Sequence, residues 1–286
     1  MANLLLAGDG WGAVAALESL TKNNKHHVKV LTNDISWQQK LRSDGVQCVD
    51  TIEGQYDLII CAGWRDIISK EMLSVQKFLN IHYTLLPAYR GYHGTVWAIL
   101  NDEPQLGFTV HEMSPYIDDG SIVYQYKIEN DFKKTSVWYM EHFNKKVSEV
   151  LLEVVNDYLI GALPGLEQDK SRASWVGKRT RYDCRIDFSK PVHYQKAFFR
   201  ALVAPYPHPF FTRRGKDFEV HEVDFYECNV SSHTSRILNI DNEGVWISCK
   251  NGYIICKKII GASAREVIAH SYFKIGQFVN VDSKQI

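Results

Sequence analysis

No stretch of the 286 residues holds the roughly 20 consecutive apolar positions that a membrane-spanning helix needs, which argues against a helical span and against a membrane partner. Cysteine pairs are missing too. Cys48, Cys61, Cys184, Cys228, Cys249 and Cys256 include none at two-residue spacing, so there is no zinc-ribbon or Cys-x-x-Cys signature and no metal is expected. The N-terminus lacks a signal peptide's long apolar core and cleavage site, and we expect a reducing, cytoplasmic location. Nor is one sign of charge in excess: 33 Lys and Arg balance 33 Asp and Glu. No global field draws the molecule to nucleic acid or anionic lipid. From Arg181 onward the count is 15 basic against 11 acidic residues, a mild surplus. Internal repeats and low-complexity tracts are absent.

What is present is 45% hydrophobic and 23% charged residues, suited to one large core and a second, smaller one. Residues 3–7 read as a buried strand entering a glycine turn and a helix with Val14, Leu17 and Leu20 on one stripe, the opening of a parallel α/β sheet. Further strands are expected over 26–34, 46–49, 56–64, 78–83 and 105–114, that over 56–64 having a continuous rather than alternating apolar run and so being central. Ser69 is placed to cap a crossover helix, Pro104 ends a short one, and 133–161 has the three- and four-residue apolar spacing of a long helix. Residues 165–185 are polar and basic and read as a linker. After Ile186 come a short helix and β-rich runs, including 274–281, separated by glycine and polar turns. The expectation is a Rossmann-like parallel sheet in a catalytic domain, 1–180, and a small mostly β domain of OB-like character, 181–286.

Gly8, Gly10 and Gly12 sit where strand turns to helix, a place where backbone amides can approach an anion or simply turn tightly. Asn80 and His82, two apart at a strand end, point to the same side, and an amide with an imidazole can serve one reacting carbonyl. Asp118 or Asp119 could orient the ring and stabilise its protonated form, or form a surface turn. Arg90 suits either a hydrogen-bonding hub or a clamp for an anionic substrate. The run 173–182 could stack a base and neutralise phosphate, or be a solvated linker.

These residues carry a resemblance. "NIHYTLLPAYRG" resembles the Asn-x-His-x-Ser-Leu-Leu-Pro signature of the formyltransferases that use 10-formyltetrahydrofolate, and "IDDG" resembles their Asp-x-Gly turn, Asp118 lying 36 residues after His82. "CAGWRDIIS" is similar to the family's loop beside the pterin. The resemblance implies catalysis by Asn80, His82 and Asp118, with Asp119 the neighbour that could be confused with it. It implies 10-formyltetrahydrofolate as cofactor, its pterin edge held by backbone groups of Cys61, Ala62, Gly63, Trp64, Arg65 and Asp66 and by the 112–120 loop with Ser114, Tyr116, Ile117 and Gly120. Thr84 stands where the family commonly has serine, which keeps the hydroxyl.

"RIDFSKPVHYQKAFFRALVAPYPHPFF" resembles the segment opening the second domain of the transfer-RNA formyltransferases and of the sugar-nucleotide N-formyltransferases, with His208 and Pro209 replacing a Gly-Ala pair. Charge neutrality favours the sugar-nucleotide members, because a transfer-RNA ligand calls for a basic surface. The expected partner is a nucleotide-linked amino sugar, with Arg90, Lys178, Arg179 and Arg181 facing its diphosphate and Tyr92, His93, Trp97 and Trp175 its rings. A homodimer is expected as the commonest closed assembly. Transfer-RNA formylation, another folate-dependent formyl transfer or deformylation, and a non-catalytic folate-binding protein stand as alternatives. A dehydrogenase would need a better dinucleotide turn.

Overall fold

Leu4, Leu5, Leu6 and Ala7 are all completely enclosed, as happens when a strand has neighbours on both sides and cover on both faces. In the computed structural model, which describes residues 1–261 and 263–280, this segment is β1 (Asn3–Gly8). The chain continues through α1 (Gly10–Leu20), β2 (His27–Leu31), α2 (Ile35–Ser43), β3 (Cys48–Val49), β4 (Leu58–Ala62), α3 (Lys70–Val75) and β5 (Phe78–His82). Next come a two-residue strand β6 (Arg90–Gly91), α4 (Gly94–Leu100), β7 (Gln105–Glu112), β8 (Ile122–Glu129), α5 (Ser136–Leu159) and a second two-residue strand, β9 (Trp175–Val176).

The main sheet runs β3-β2-β1-β4-β5-β7-β8. Its first five members are parallel, while β7 pairs antiparallel with β5 and β8 antiparallel with β7. The sheet is therefore mostly parallel, closed at one side by an antiparallel hairpin. Polar side chains set the helix starts: Ser69 accepts from the Met72 amide ahead of α3, and Asp34 accepts from Trp37 ahead of α2, each satisfying an orphan donor of a first turn. On α1 the buried stripe is Ala13, Ala16, Leu17 and Leu20. Val14, expected on that stripe, is 48% exposed, because small alanines rather than the β-branched side chain let the helix lie close to the strands.

The chain divides into two units, the first comprising 1–98, 104–130 and 138–178, the second 99–103, 131–137 and 179–286. In the second, α6 (Val192–Ala201) precedes β10 (Phe210–Arg213), β11 (Lys216–Glu227), β12 (Ile237–Asp241), β13 (Gly244–Cys249), β14 (Gly252–Gly261) and the single turn α7 (Ala269–Tyr272). The five strands form one antiparallel sheet in the order β10-β11-β14-β13-β12. Phe198, Phe211, Phe218, Ile247 and Ile254 fill its core. The strand expected over 274–281 does not form: Phe278 makes an isolated pairing with Arg236, and Val281, with the rest of the terminus to Ile286, lies outside the described residues.

Candidate active site

β5 carries Phe78-Leu79-Asn80-Ile81-His82, and strand alternation puts Asn80 and His82 on one face. Cys61 is the partner of Asn80 in β4. That face continues onto an apolar cluster of Leu5, Ala7, Ile59, Cys61 and Phe78, against which both Trp64 and Met113 pack. The loops leaving β4 and β7 thus share one face of the sheet.

Antiparallel pairing brings in a residue that sequence reasoning missed. His111 in β7 is the direct partner of Asn80 in β5. The hairpin register, rather than any spacing along the chain, creates this pair; the residue opens the polar run 111–121 but nothing in that run marks its partner. Asn80 Nδ2 lies 3.1 Å from His111 Nε2 and donates to Asp118 Oδ1 at 3.4 Å. His111 Nδ1 faces the Glu112 carbonyl at 2.7 Å, an acceptor, so Nδ1 carries a proton; Nε2 accepts from Asn80 when it is unprotonated and donates to Asp118 Oδ1, 3.5 Å away, when it is protonated.

His82 is equally constrained. Its Nε2 faces the Tyr89 carbonyl at 2.9 Å and so holds a hydrogen, leaving Nδ1 as the atom where a proton is gained or lost. Nδ1 stands 3.5 Å from Asp118 Oδ2. Burial pushes the His82 pKa below its ordinary value, opposed by the Asp118 charge and the Tyr89 carbonyl. At Asp118 burial acts upward, but the His111 hydrogen bond, the charges of His82 and His111 and the Gly91 amide together hold the carboxyl down to about 2. The Gly91 N–H donates to Oδ2 at 2.8 Å. The arrangement is a buried carboxylate ringed by one amide, two imidazoles and one backbone donor.

Asp119 points elsewhere. Its carboxylate pairs with Arg90 Nη1 at 2.5 Å, and Arg90 is only 3% exposed. Arg90 Nε and Nη2 also donate to Oε1 of Gln168, whose Nε2 donates to the carbonyls of Asp118 and Gly120. Asp118 holds a left-handed backbone, φ 50°, a region that aspartate enters more readily than most residues. At Gly120 a Cβ would stand 1.9 Å from the Glu112 carbonyl oxygen, so only glycine fits. Of the two roles open to Arg90, the geometry supports the hub: the side chain is buried and all three guanidinium nitrogens are engaged.

The segment 165–185 is not a solvated linker. Leu166 pairs with Ile122, and β9 lies parallel to β6 with Trp175 opposite Arg90. The Trp175 ring covers the Arg90 guanidinium at 5.4 Å and is itself 66% exposed. Trp97 Nε1 donates to the Gly177 carbonyl, Tyr92 is exposed and His93, half-buried, opens α4. Lys178 is exposed. In the second unit Arg179 is buried and donates to the Asp183 carbonyl, while Arg181 pairs with Glu219 at 2.8 Å and Asp217 at 3.6 Å. These two arginines are held by their own surroundings, which weakens the expectation that they meet a diphosphate.

Among the residues expected beside a pterin, Cys61 and Ala62 are enclosed within β4, between β1 and β5, and the Ala62 carbonyl accepts from the Asp9 amide. Burial pushes the Cys61 thiol up to about 12. The exposed part of this run begins at Gly63. Arg65 is exposed, Asp66 accepts from Asn33, and Ser114 forms a local turn with Tyr116. Tyr116 and Ile117 are 71% and 64% exposed, apolar surface immediately before Asp118. The indole N–H of Trp64 is buried with no acceptor among the described residues. A flat ring with polar edges fits such surroundings: apolar cover on one side, backbone and an indole donor on the other. The glycine turn after β1 has a packing explanation instead, since a Cβ on Gly8 would stand 2.2 Å from the Ala62 carbonyl oxygen and one on Gly12 2.7 Å from the Tyr83 hydroxyl.

Known proteins share this organisation. Residues 8–155 match the family described as formyl transferase, and 178–276 match the formyl transferase C-terminal domain. A methionyl-tRNA formyltransferase of Thermosipho melanesiensis is 27% identical over 216 residues, 76% of this chain and 69% of that protein. The crystal structure of an N-formyltransferase from Helicobacter canadensis, in complex with folinic acid and dTDP-3-aminofucose, superposes with a TM-score of 0.71 at 19% identity, covering 90% of this chain and 99% of that one. A 4-N formyltransferase from Francisella tularensis gives 0.65 at 21% identity, over 74% of this chain and 93% of that one. With a buried Asn–His–Asp centre on the sheet and both parts of the family's architecture matched in order, the chain belongs to the formyl transferase family.

Proposed function

We propose that this chain moves a formyl group from 10-formyltetrahydrofolate to the primary amine of a nucleotide-linked amino-deoxy sugar. The observation that carries the transfer chemistry is the convergence of Asn80, His82 and Asp118. When bound, 10-formyltetrahydrofolate supplies an activated formyl carbonyl. The residues that would hold it are Gly63 to Asp66 and Ser114 to Ile117, in the loops that leave β4 and β7. Asn80 has one short and one long donor contact, 3.1 and 3.4 Å, and the longer is the one free to turn toward the formyl oxygen as charge gathers there. His82 takes the amine's surplus proton at Nδ1, directly or through water, since Nε2 is committed to Tyr89. Asp118 stabilises the imidazolium so formed.

The sugar acceptor is supported by the balanced charge, and by the likeness in fold to the Helicobacter and Francisella enzymes over most of their length. Trp175 presents an exposed ring for a base or sugar face. The second reading, formylation of charged initiator transfer RNA, draws on the methionyl-tRNA formyltransferase of Thermosipho melanesiensis. No helix among the described residues is long and apolar enough to cross a membrane, and our reading includes a cytoplasmic homodimer. The test is a competition: 10-formyltetrahydrofolate with dTDP-, GDP- and UDP-linked 3- and 4-amino sugars against methionyl initiator transfer RNA, following folate release. Formylation of a sugar supports the proposal. Efficient formylation of the transfer RNA with none of the sugars overturns the acceptor assignment, and turnover of neither class overturns both readings.

A further inference from the structure

The catalytic carboxylate sits on a turn whose backbone is gripped from one direction by one side chain. Gln168 Nε2 donates to the carbonyl of Asp118 at 2.8 Å and to that of Gly120 at 2.7 Å. Its Oε1 accepts from Arg90 Nη2 at 2.7 Å and from Nε at 3.2 Å, and Arg90 Nη1 reaches the Asp119 carboxylate. Three consecutive residues, 118 to 120, are thus fixed by two buried side chains from distant parts of the chain. We propose that Gln168 is a positioning residue of the transfer centre: it curls the turn so that the Asp118 carboxylate faces His82 and His111, with Arg90 completing the clamp.

This rests on the reading of Asn80, His82 and Asp118 as the transfer centre. Three features make the grip one of position rather than general packing. The amide donates to the two carbonyls that flank Asp119, so it acts on the direction of the turn and not on a neighbouring strand. Asp118 adopts a left-handed backbone, φ 50°, and the bond from Gln168 to its carbonyl holds the turn in that conformation. Gln168 itself is 7% exposed although its neighbours Glu167 and Asp169 are exposed, and the segment bearing it is tied at Leu166 and at Trp175. A buried amide with both ends occupied cannot shift without leaving two carbonyls and an arginine short of partners.

The discriminating variant is Gln168→Glu. It keeps the shape and the acceptor for Arg90 but removes the donor to Asp118 and Gly120. With the full-length protein folded by circular dichroism, the expected result is a fall in kcat of about 100-fold, the scale of a slight misplacement of a reacting group, with KM for the acceptor within about threefold. The histidine signals followed by NMR should change together with kcat. His82 faces Asp118, His111 and the Tyr89 carbonyl, so swinging the Asp118 carboxylate away lowers its titration midpoint further. Gln168→Met, which restores neither donor nor acceptor, should be no better, and Arg90→Lys, which keeps the charge on Asp119 but not the fork to Gln168, should fall between. If Gln168→Glu does not fold, the NMR and kinetic comparison moves to Arg90→Lys, where an unaltered His82 titration overturns the clamp. Unchanged kcat and His82 titration in folded Gln168→Glu overturns it directly. Failure of the parent reading looks different: wild-type protein that transfers no formyl group.

Discussion

Asn80 and His111 face one another across β5 and β7, with Nδ2 and Nε2 3.1 Å apart. The pair fixes which way the Asn80 amide points, because the His111 ring is itself fixed by the Glu112 carbonyl. Replacing His111 by Phe keeps a ring in the buried slot and removes the acceptor. We expect kcat to drop at least 10-fold, with folate binding little altered, measured by single-turnover kinetics beside equilibrium titration. Unchanged kcat would show that Asn80 needs no such orientation.

Asn80→Ala removes the donor that we propose turns toward the formyl oxygen and should cost on the order of 10²–10³ in turnover, with a much smaller change in folate affinity. Retention of most activity would rule out the oxyanion role.

The two neighbouring aspartates should fail in different ways. Asp118→Asn keeps the fold and abolishes most turnover, since the carboxylate facing His82 and His111 is lost. Asp119→Asn leaves Arg90 buried beside a neutral partner, so its main effect is on stability, by about 3–5 kcal/mol as for other broken buried pairs. Denaturant unfolding and steady-state kinetics on both variants separate the two roles; the opposite pattern would mean that the carboxylates have been exchanged.

The pH dependence follows from the same contacts. His82 in the folded chain titrates below its ordinary 6.5, so the unfolded chain takes the proton first, and stability is lost as pH falls below about 6.5. A neutral His82 is also the form able to accept a proton, so kcat/KM should decline on the same acid side and be flat above it. Asp118 acts lower: the unfolded carboxyl protonates near 3.8 and the folded one near 2, so its contribution is intact above 3.8 and lost between 3.8 and about 2. An activity profile rising toward acid pH would contradict the assignment of His82 as base.

Gly120→Ala places a methyl group 1.9 Å from the Glu112 carbonyl oxygen. The turn must move, and with it Asp118. A destabilisation of about 1–3 kcal/mol, typical of overpacking, should accompany loss of activity, whereas Gly177→Ala, where a Cβ meets open space, should leave both intact.

Most strands and helices were legible because their periodicity is local: the continuous apolar run at β4, the alternation that turns Asn80 and His82 together, the Ser69 cap. Likeness to a family pointed to Asp118; the adjacent Asp119 pairs with Arg90 instead of facing the histidines. His111 and Gln168 were not legible. One enters through an antiparallel register that no spacing encodes, the other from a segment whose polarity resembles a solvated linker but which pairs with Ile122, Arg90 and Gly91. Val14 misled for a related reason, since periodicity gives a stripe but not which edge of it touches the strands.

The bridge between β6 and β9 joins residues 90 and 175, so Arg90 meets its cover only after some 85 further residues have been added to the chain. Asn80, His82, His111 and Asp118 all leave the ribosome well before Gln168. Closing so long a loop carries an entropic cost that the sheet strands, pairing at shorter range, do not bear. Along the chain, the centre is therefore the last part of its own unit to be completed. A nascent chain halted before Leu166 can display every residue of the chemistry and still lack the grip on Asp118, which delays the onset of transfer until the segment beyond α5 has come home.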